Sequence, residues 1–237
     1  MTFVAGEIIG YQQMCLYEGT SLQRGMNFRV AKGHSVVLMS VRSGAPYDDQ
    51  VLDEGRTLIY EGHNVPKSAE HSLPDTIDQA LRTPIGSLTQ NGRFFTAATG
   101  FKQGKLAAEL VRVYDKLRSG IWAFVGTFNL VDAWQETSAG RQVFKFKLTL
   151  NETLGGIAAD VTPDSGNLQL AHTRIIPSAV KQAVFKRDKG KCVECGATDN
   201  LHFDHILPFS KGGTSATEAN IQLLCARHNL EKSDSIR

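Results

Sequence analysis

The sequence predicts an α+β protein in two units, a strand-rich N-terminal unit followed by a small, metal-stapled C-terminal one. Three observations carry this. The chain has 237 residues, more than a typical single domain needs. Short runs rich in β-branched and aromatic residues, separated by Gly- and Asp-rich turns, dominate residues 1–150. Cys192, Cys195 and Cys225 all fall in the last quarter, and only Cys15 lies elsewhere.

Taken in order, the stretches 36–41, 57–60, 123–131 and 142–150 read as strands. Residues 144–148, Phe-Lys-Phe-Lys-Leu, alternate apolar and polar as a strand with one buried and one wet face does. Leu106, Leu110, Val113 and Leu117 fall on one helical stripe, which predicts a helix over 106–117. The segment 67–91 is polar and punctuated by Pro74, Pro84 and Gly86, so it reads as a long loop, either ordinary surface or a groove-entering element. Between about Asn151 and His172, Gly155-Gly156, Pro163, Asp164 and Gly166 break any periodicity. This predicts a linker over 151–176 between units 1–150 and 177–237. Pro177-Ser178 then opens a helix over 179–187.

Composition narrows the function classes. Hydrophobic content of 41% and charged content of 21% are those of globular protein, and no apolar run approaches the ~20 residues that span a bilayer. Met1-Thr2-Phe3-Val4 lacks the basic and apolar regions of a signal peptide, so the expected address is cytoplasmic, with no membrane partner. The net charge of +2 is unevenly spread: residues 1–170 carry 16 Lys/Arg against 17 Asp/Glu, and residues 171–237 carry 10 against 7. The basic excess sits in the tail and points weakly to a polyanion.

Cys192-x2-Cys195 and Cys225-x2-His228 form two close pairs with 29 residues between them. Clustered cysteines in a cytosolic chain suggest metal before disulfide, and four soft or borderline ligands in two pairs suit a closed, tetrahedral Zn²⁺ site. The bland alternative is a set of buried apolar cysteines beside an incidental histidine.

The inserted segment contains Asp204-His205-Ile206-Leu207-Pro208, a Gly212-Gly213 turn, the run Asn220-Ile221-Gln222-Leu223-Leu224-Cys225, and Asn229-x2-Lys232. In this order the motifs resemble the HNH endonuclease family over about residues 181–234. The resemblance implies a ββα-metal fold in which Asp204 and Asn229 hold a catalytic Mg²⁺ or Mn²⁺, His205 is the general base, and Asn220 holds the hairpin loop. Asn229 stands where the family more often has histidine, so a competing assignment makes His228 the motif's third histidine rather than a zinc ligand. His202, Lys211 and Lys232 are candidate phosphate contacts, against the simpler reading of solvated surface residues.

Gly6-Glu7, Ala45-Pro46-Tyr47-Asp48-Asp49, 55–63, Val111-Arg112-Val113-Tyr114, 125–134 and Phe144-Lys145-Phe146 follow one another as in the SRA (YDG) family of modified-cytosine readers, over about residues 5–150. That resemblance implies a twisted β-barrel with flanking helices and a base-flipping pocket. Tyr47 and Tyr60 would stack on the base, and Asp49, in preference to Asp48, would accept its exocyclic amine. The chain departs from the family twice: Phe124-Val125-Gly126 stands for the Tyr-Asp-Gly signature, and Glu61 replaces the threonine that commonly follows the second pocket tyrosine. If unplaced in a pocket, Tyr47 is a turn residue and Tyr60 a core aromatic.

Together these readings lead to the expectation of a modification-dependent DNA endonuclease acting on double-stranded DNA that carries 5-methylcytosine or 5-hydroxymethylcytosine. A homodimer is expected, because one HNH centre addresses one strand at a time. Two alternatives stand beside it: a nuclease whose barrel reads unmodified sequence or shape, and a zinc-stabilised DNA-binding protein without chemistry.

Overall fold

The computed structural model describes residues 3–22, 24–41, 44–67, 72–153 and 176–232. Most of the expected linker, residues 154–175, lies outside them. The protein is mixed α+β, with a sheet-dominated N-terminal unit and a small C-terminal ββα unit.

The large sheet is formed by β1 (Ile8–Gly10), β2 (Met26–Asn27), β3 (Ser35–Met39), β4 (Gln50–Leu52), β5 (Thr57–Glu61), β6 (Glu109–Arg118), β7 (Ile121–Ser138) and β8 (Arg141–Leu150). Its order is β2-β3-β6-β7-β8-β5-β4, with β1 paired to the start of β7. β3 and β6 run parallel, and the other pairs are antiparallel. Among the described residues β2 and β4 end this path without pairing to each other, so the sheet does not close into the expected barrel. β7 is long enough to serve β6 on one side and both β1 and β8 on the other.

The helix expected over 106–117 is instead strand β6, preceded by an exposed Leu106. The reason is its central place. Paired on both edges, β6 buries Val111 and Val113 on one face and Arg112 and Tyr114 on the other. A strand buried on both faces has no alternation to show, and its apolar residues fall at helical spacing by coincidence. Arg112 is neutralised by Glu18, the last residue of helix α1 (Tyr11–Glu18), whose carboxylate also meets His34 at 2.6 Å and the Tyr114 hydroxyl.

Helix α2 (Gln90–Lys102) begins where the expected loop ends, with the Thr89 hydroxyl accepting from the Gly92 amide at 3.1 Å. It lays Phe94, Ala97 and Ala98 on a core that contains Tyr60, Val111, Val113, Phe128, Phe144 and Phe146.

Helix α3 (Ser178–Arg187), the hairpin β9 (Leu201–His205) and β10 (Ile221–Cys225), and helix α4 (Ala226–Lys232) make the C-terminal unit. Its core is not its own. Ala123 of β7, with Ile8 and Leu117 packed alongside, joins Val184, Leu201, Phe203, Leu223 and Cys225 in one cluster. The Phe203 amide also donates to the Gly6 carbonyl at 3.3 Å, and Glu7 bridges to His202. Among the described residues no helix is long and apolar enough to cross a membrane.

Candidate functional site

The four thiol and imidazole ligand atoms of Cys192, Cys195, Cys225 and His228 lie within 4.8 Å of one another. Cys192 and Cys195 occupy a tight turn after α3, closed by the Gly196 amide donating to the Cys192 carbonyl at 2.8 Å. Cys225 ends β10 and His228 lies on α4, so a strand end and a helix start face the turn. Cys195 Sγ is 3.9 Å from Cys225 Sγ, and His228 Nδ1 is 3.3 Å from Cys192 Sγ and 3.5 Å from Cys225 Sγ. Zinc–sulfur bonds of ~2.3 Å place tetrahedral ligands about 3.8 Å apart, so the donor set fits Zn²⁺. Burial raises the Cys192 thiol, but the amides of Cys225, Cys195 and Glu194, with the His228 side chain, outweigh it and bring the thiol down to about 6. A sulfur ringed by N–H donors is prepared for the thiolate state a metal requires.

Asp204 and His205 end β9, opposite Gln222 and Ile221 of β10. The loop that follows is fastened by Asn220, whose side chain accepts from the Leu207 amide at 2.8 Å and donates to the carbonyls of Leu207 at 3.1 Å and Thr214 at 3.0 Å. Gly213 makes this closure possible, since a Cβ there would lie 1.9 Å from the Leu207 carbonyl oxygen. The closed loop brings Ser215 Oγ to 2.8 Å from His205 Nε2, a contact that no linear motif announced. Asn229 is half-buried on α4, one residue beyond His228. A carboxylate, a side-chain amide and room for water are the oxygen donors a hard cation takes, so Asp204 and Asn229 are chemically suited to Mg²⁺ or Mn²⁺.

Of the three candidate phosphate contacts, Lys211 is exposed. His202 is half-buried in the seam against Glu7, and burial lowers its pKa while Glu7 opposes the shift. Lys232 is buried, with its ammonium on Asp204 and the His205 carbonyl.

In the N-terminal unit a cavity of about 520 Å³ is lined by Tyr47, Asp49, Ser40, Arg24, Lys116 and Trp122, among others. Asp49 is 9% exposed, and its two carboxylate oxygens accept from the backbone amides of Glu61 at 3.0 Å and Ser40 at 3.1 Å. Burial pushes its carboxyl up to about 7, against the pull of those two amides. Asp48 points out to the rim, where Gln50 and Lys145 hold it.

Tyr60 and Glu61 do not line this cavity. Tyr60 is wholly buried in the core, with its hydroxyl 3.3 Å from His63 Nε2. Gly25 permits that approach, because a Cβ would lie 2.6 Å from the Tyr60 oxygen. Glu61 turns inward to Lys145 at 3.1 Å and Arg141 at 3.2 Å, and accepts the Asp48 amide at 3.2 Å. His63, given no pocket role in the sequence reading, stacks on Tyr47 with ring centroids 5.9 Å apart. Burial, assisted by Arg24, lowers its pKa to about 4, so near neutral pH it is an uncharged aromatic face. Its only linear signal is its place at the end of the 55–63 motif.

Residues 192–235 match the HNH endonuclease family, so the chain carries a nuclease domain. Among solved structures, the chain is similar to the SUVH5 SRA domain in complex with methylated CHH DNA, at 22% identity over 64% of this chain and 90% of that one, with a TM-score of 0.43. It is also similar to the DNA modification-dependent restriction endonuclease AspBHI, at 17% identity over 64% of this chain and 43% of that one, with a TM-score of 0.45. The Type IV phosphorothioation-dependent restriction endonuclease ScoMcrA is similar at 15% identity over 99% of this chain and 56% of that one, with a TM-score of 0.42. No curated protein matches the chain.

Proposed function

We propose that this protein is a modification-dependent DNA endonuclease, in which the N-terminal cavity receives a flipped, modified cytosine and the C-terminal unit hydrolyses a nearby phosphodiester bond. The observation that carries the proposal is the joining of two sites in one chain. An HNH domain presents Asp204 and His205 at the end of the hairpin opposite its zinc-type cluster, and the N-terminal sheet holds a cavity with a buried carboxylate and aromatic residues in its lining.

The residues divide the work by their chemistry. Tyr47, backed by His63, offers a flat face to a base, and the Asp49 carboxyl faces its Watson–Crick edge. His205 takes the proton of a water that attacks phosphorus in line with the departing 3′ oxygen, and Asn220 keeps the His205 loop in register. Asp204 and Asn229 would hold Mg²⁺ or Mn²⁺, which supplies charge neutralisation at the leaving oxygen. Cys192, Cys195, Cys225 and His228 would hold structural Zn²⁺. Two copies, as a homodimer, supply the two centres that a double-strand cut needs.

Digestion of otherwise identical duplexes containing cytosine, 5-methylcytosine, 5-hydroxymethylcytosine or glucosylated hydroxymethylcytosine tests the reading. Cleavage should require a modified cytosine, and His205→Ala should abolish cleavage while leaving modified-DNA binding within about twofold, since it deletes the base and leaves the reader untouched. Equal cleavage of the unmodified duplex would refute the reader, and residual cleavage by the His205 variant would refute the assigned base.

A further inference from the structure

Lys232 is 2% exposed, and its ammonium donates to the His205 carbonyl oxygen at 2.7 Å and ion-pairs with Asp204 Oδ2 at 2.9 Å. Gln222, facing Asp204 across the hairpin, donates to the same Oδ2 at 3.3 Å. Oδ2 is therefore engaged twice, whereas Oδ1 accepts from no described residue. On α4 Lys232 lies three residues after Asn229, a spacing that puts both on one helix face.

We propose that Lys232 is a positioning residue for the catalytic cation: it holds Asp204 to one-oxygen coordination through Oδ1 and pins the peptide from which His205 leaves the strand. This rests on the reading of Asp204 as a cation ligand. A small divalent ion demands near-octahedral geometry and retains several waters, which a carboxylate swinging to bidentate coordination would displace. The ammonium accomplishes this at a cost, because it is a like charge one carboxylate away from the cation. Lys232 therefore weakens cation binding while improving cation geometry. A purely structural lysine would leave affinity and turnover unchanged or lower them together.

The test uses the full-length, zinc-loaded protein, with Mn²⁺ as the probe, measured by calorimetry and by the electron paramagnetic resonance of the bound ion. Lys232→Met removes the charge and keeps the buried stem. It should bind Mn²⁺ about tenfold more tightly, the scale of a lost like-charge contact, and turn over at least about tenfold more slowly. Lys232→Gln, uncharged but still a donor, should show the same tighter binding and retain more turnover, which also covers the case of a misfolded methionine variant. Mn²⁺ affinity that is unchanged or weaker in both variants overturns the proposal. Undiminished Mn²⁺ binding by Asp204→Asn overturns the ligand reading beneath it, and the two failures are distinct.

Discussion

At the scale of single residues, the N-terminal cavity depends on which carboxylates are satisfied by backbone and which by cations. Glu61 can be buried because Lys145 and Arg141 each reach one of its oxygens, and removing either cation leaves that oxygen without its charged partner. Asp49 has no such partner at contact distance. It relies on two backbone amides, and its folded pKa near 7 stands well above the ordinary carboxylate value near 3.8. Between those values the folded chain binds more protons than the unfolded chain, so stability is present at low pH and is lost as pH rises through about 7. Asp49→Asn removes this titration. In urea unfolding from pH 5 to 7.5, the native protein should lose stability relative to the variant by up to ~1.4 kcal/mol per pH unit. Parallel pH profiles for the two proteins would contradict the shift.

At the scale of elements, the C-terminal unit is a two-stranded hairpin and two short helices, a set that is marginal without a staple. The cysteine turn is tied to β10 by the Val193 amide donating to the Leu223 carbonyl at 3.0 Å, and the β10–α4 junction by the Ala226 amide donating to the Asn200 carbonyl at 2.8 Å. Both ties converge on the four ligand atoms, so a Zn²⁺ held there, as proposed, would couple its binding to the folding of β9, β10 and α4. Cys225→Ser should therefore release one zinc per chain and remove hydrogen-exchange protection from β9, β10 and α4. Strands β6 to β8, which rest on the separate core beneath α2, should keep theirs. Unaltered protection in β9 and β10 would show that the metal is dispensable for the fold.

At the scale of the whole molecule, the N-terminal and C-terminal units meet through a shared core. Ala123, Ile8 and Leu117 complete the hydrophobic cluster of the C-terminal unit. Lys181 of α3 and Asp115 of β6 are both buried along this seam, and their opposite charges act against the effect of burial at each: burial lowers the lysine and raises the aspartate. A cut made by such a body should fall at one distance from the modified base. On duplexes with a single modified cytosine, the cleavage position should not change when Gly-Ser residues are inserted within 154–175, because the shared core fixes the geometry. Leu117→Asp, which places a charge in the seam, should broaden the distribution of cut sites. An offset that grows with the insertion would show that the segment acts as a tether.

The sequence by itself determined the groupings whose parts are close neighbours in the chain. A Cys-x2-Cys turn and a Cys-x2-His strand–helix junction converge with few degrees of freedom, and the Asp204-His205 pair sits at the other end of the same hairpin. Strands β5 and β8 were legible because an alternating or β-branched run reports its own conformation. Tertiary structure decided what depends on distant partners. Residues 109–118 became a strand because β3 and β7 claim both of its edges, overriding the helical spacing. Asp49 entered the cavity and Asp48 did not, because Ser40 and Glu61 offered amides only to the former. Tyr60 went into the core and His63 took the place beside Tyr47, a choice made by Gly25 on another strand's approach. Lys232, a surface cation by composition, turned inward because Asp204 and the end of β9 lie beneath α4. Each of these outcomes is a competition for hydrogen bonds and buried space among residues far apart in the chain, and a linear pattern carries no term for who else arrives there.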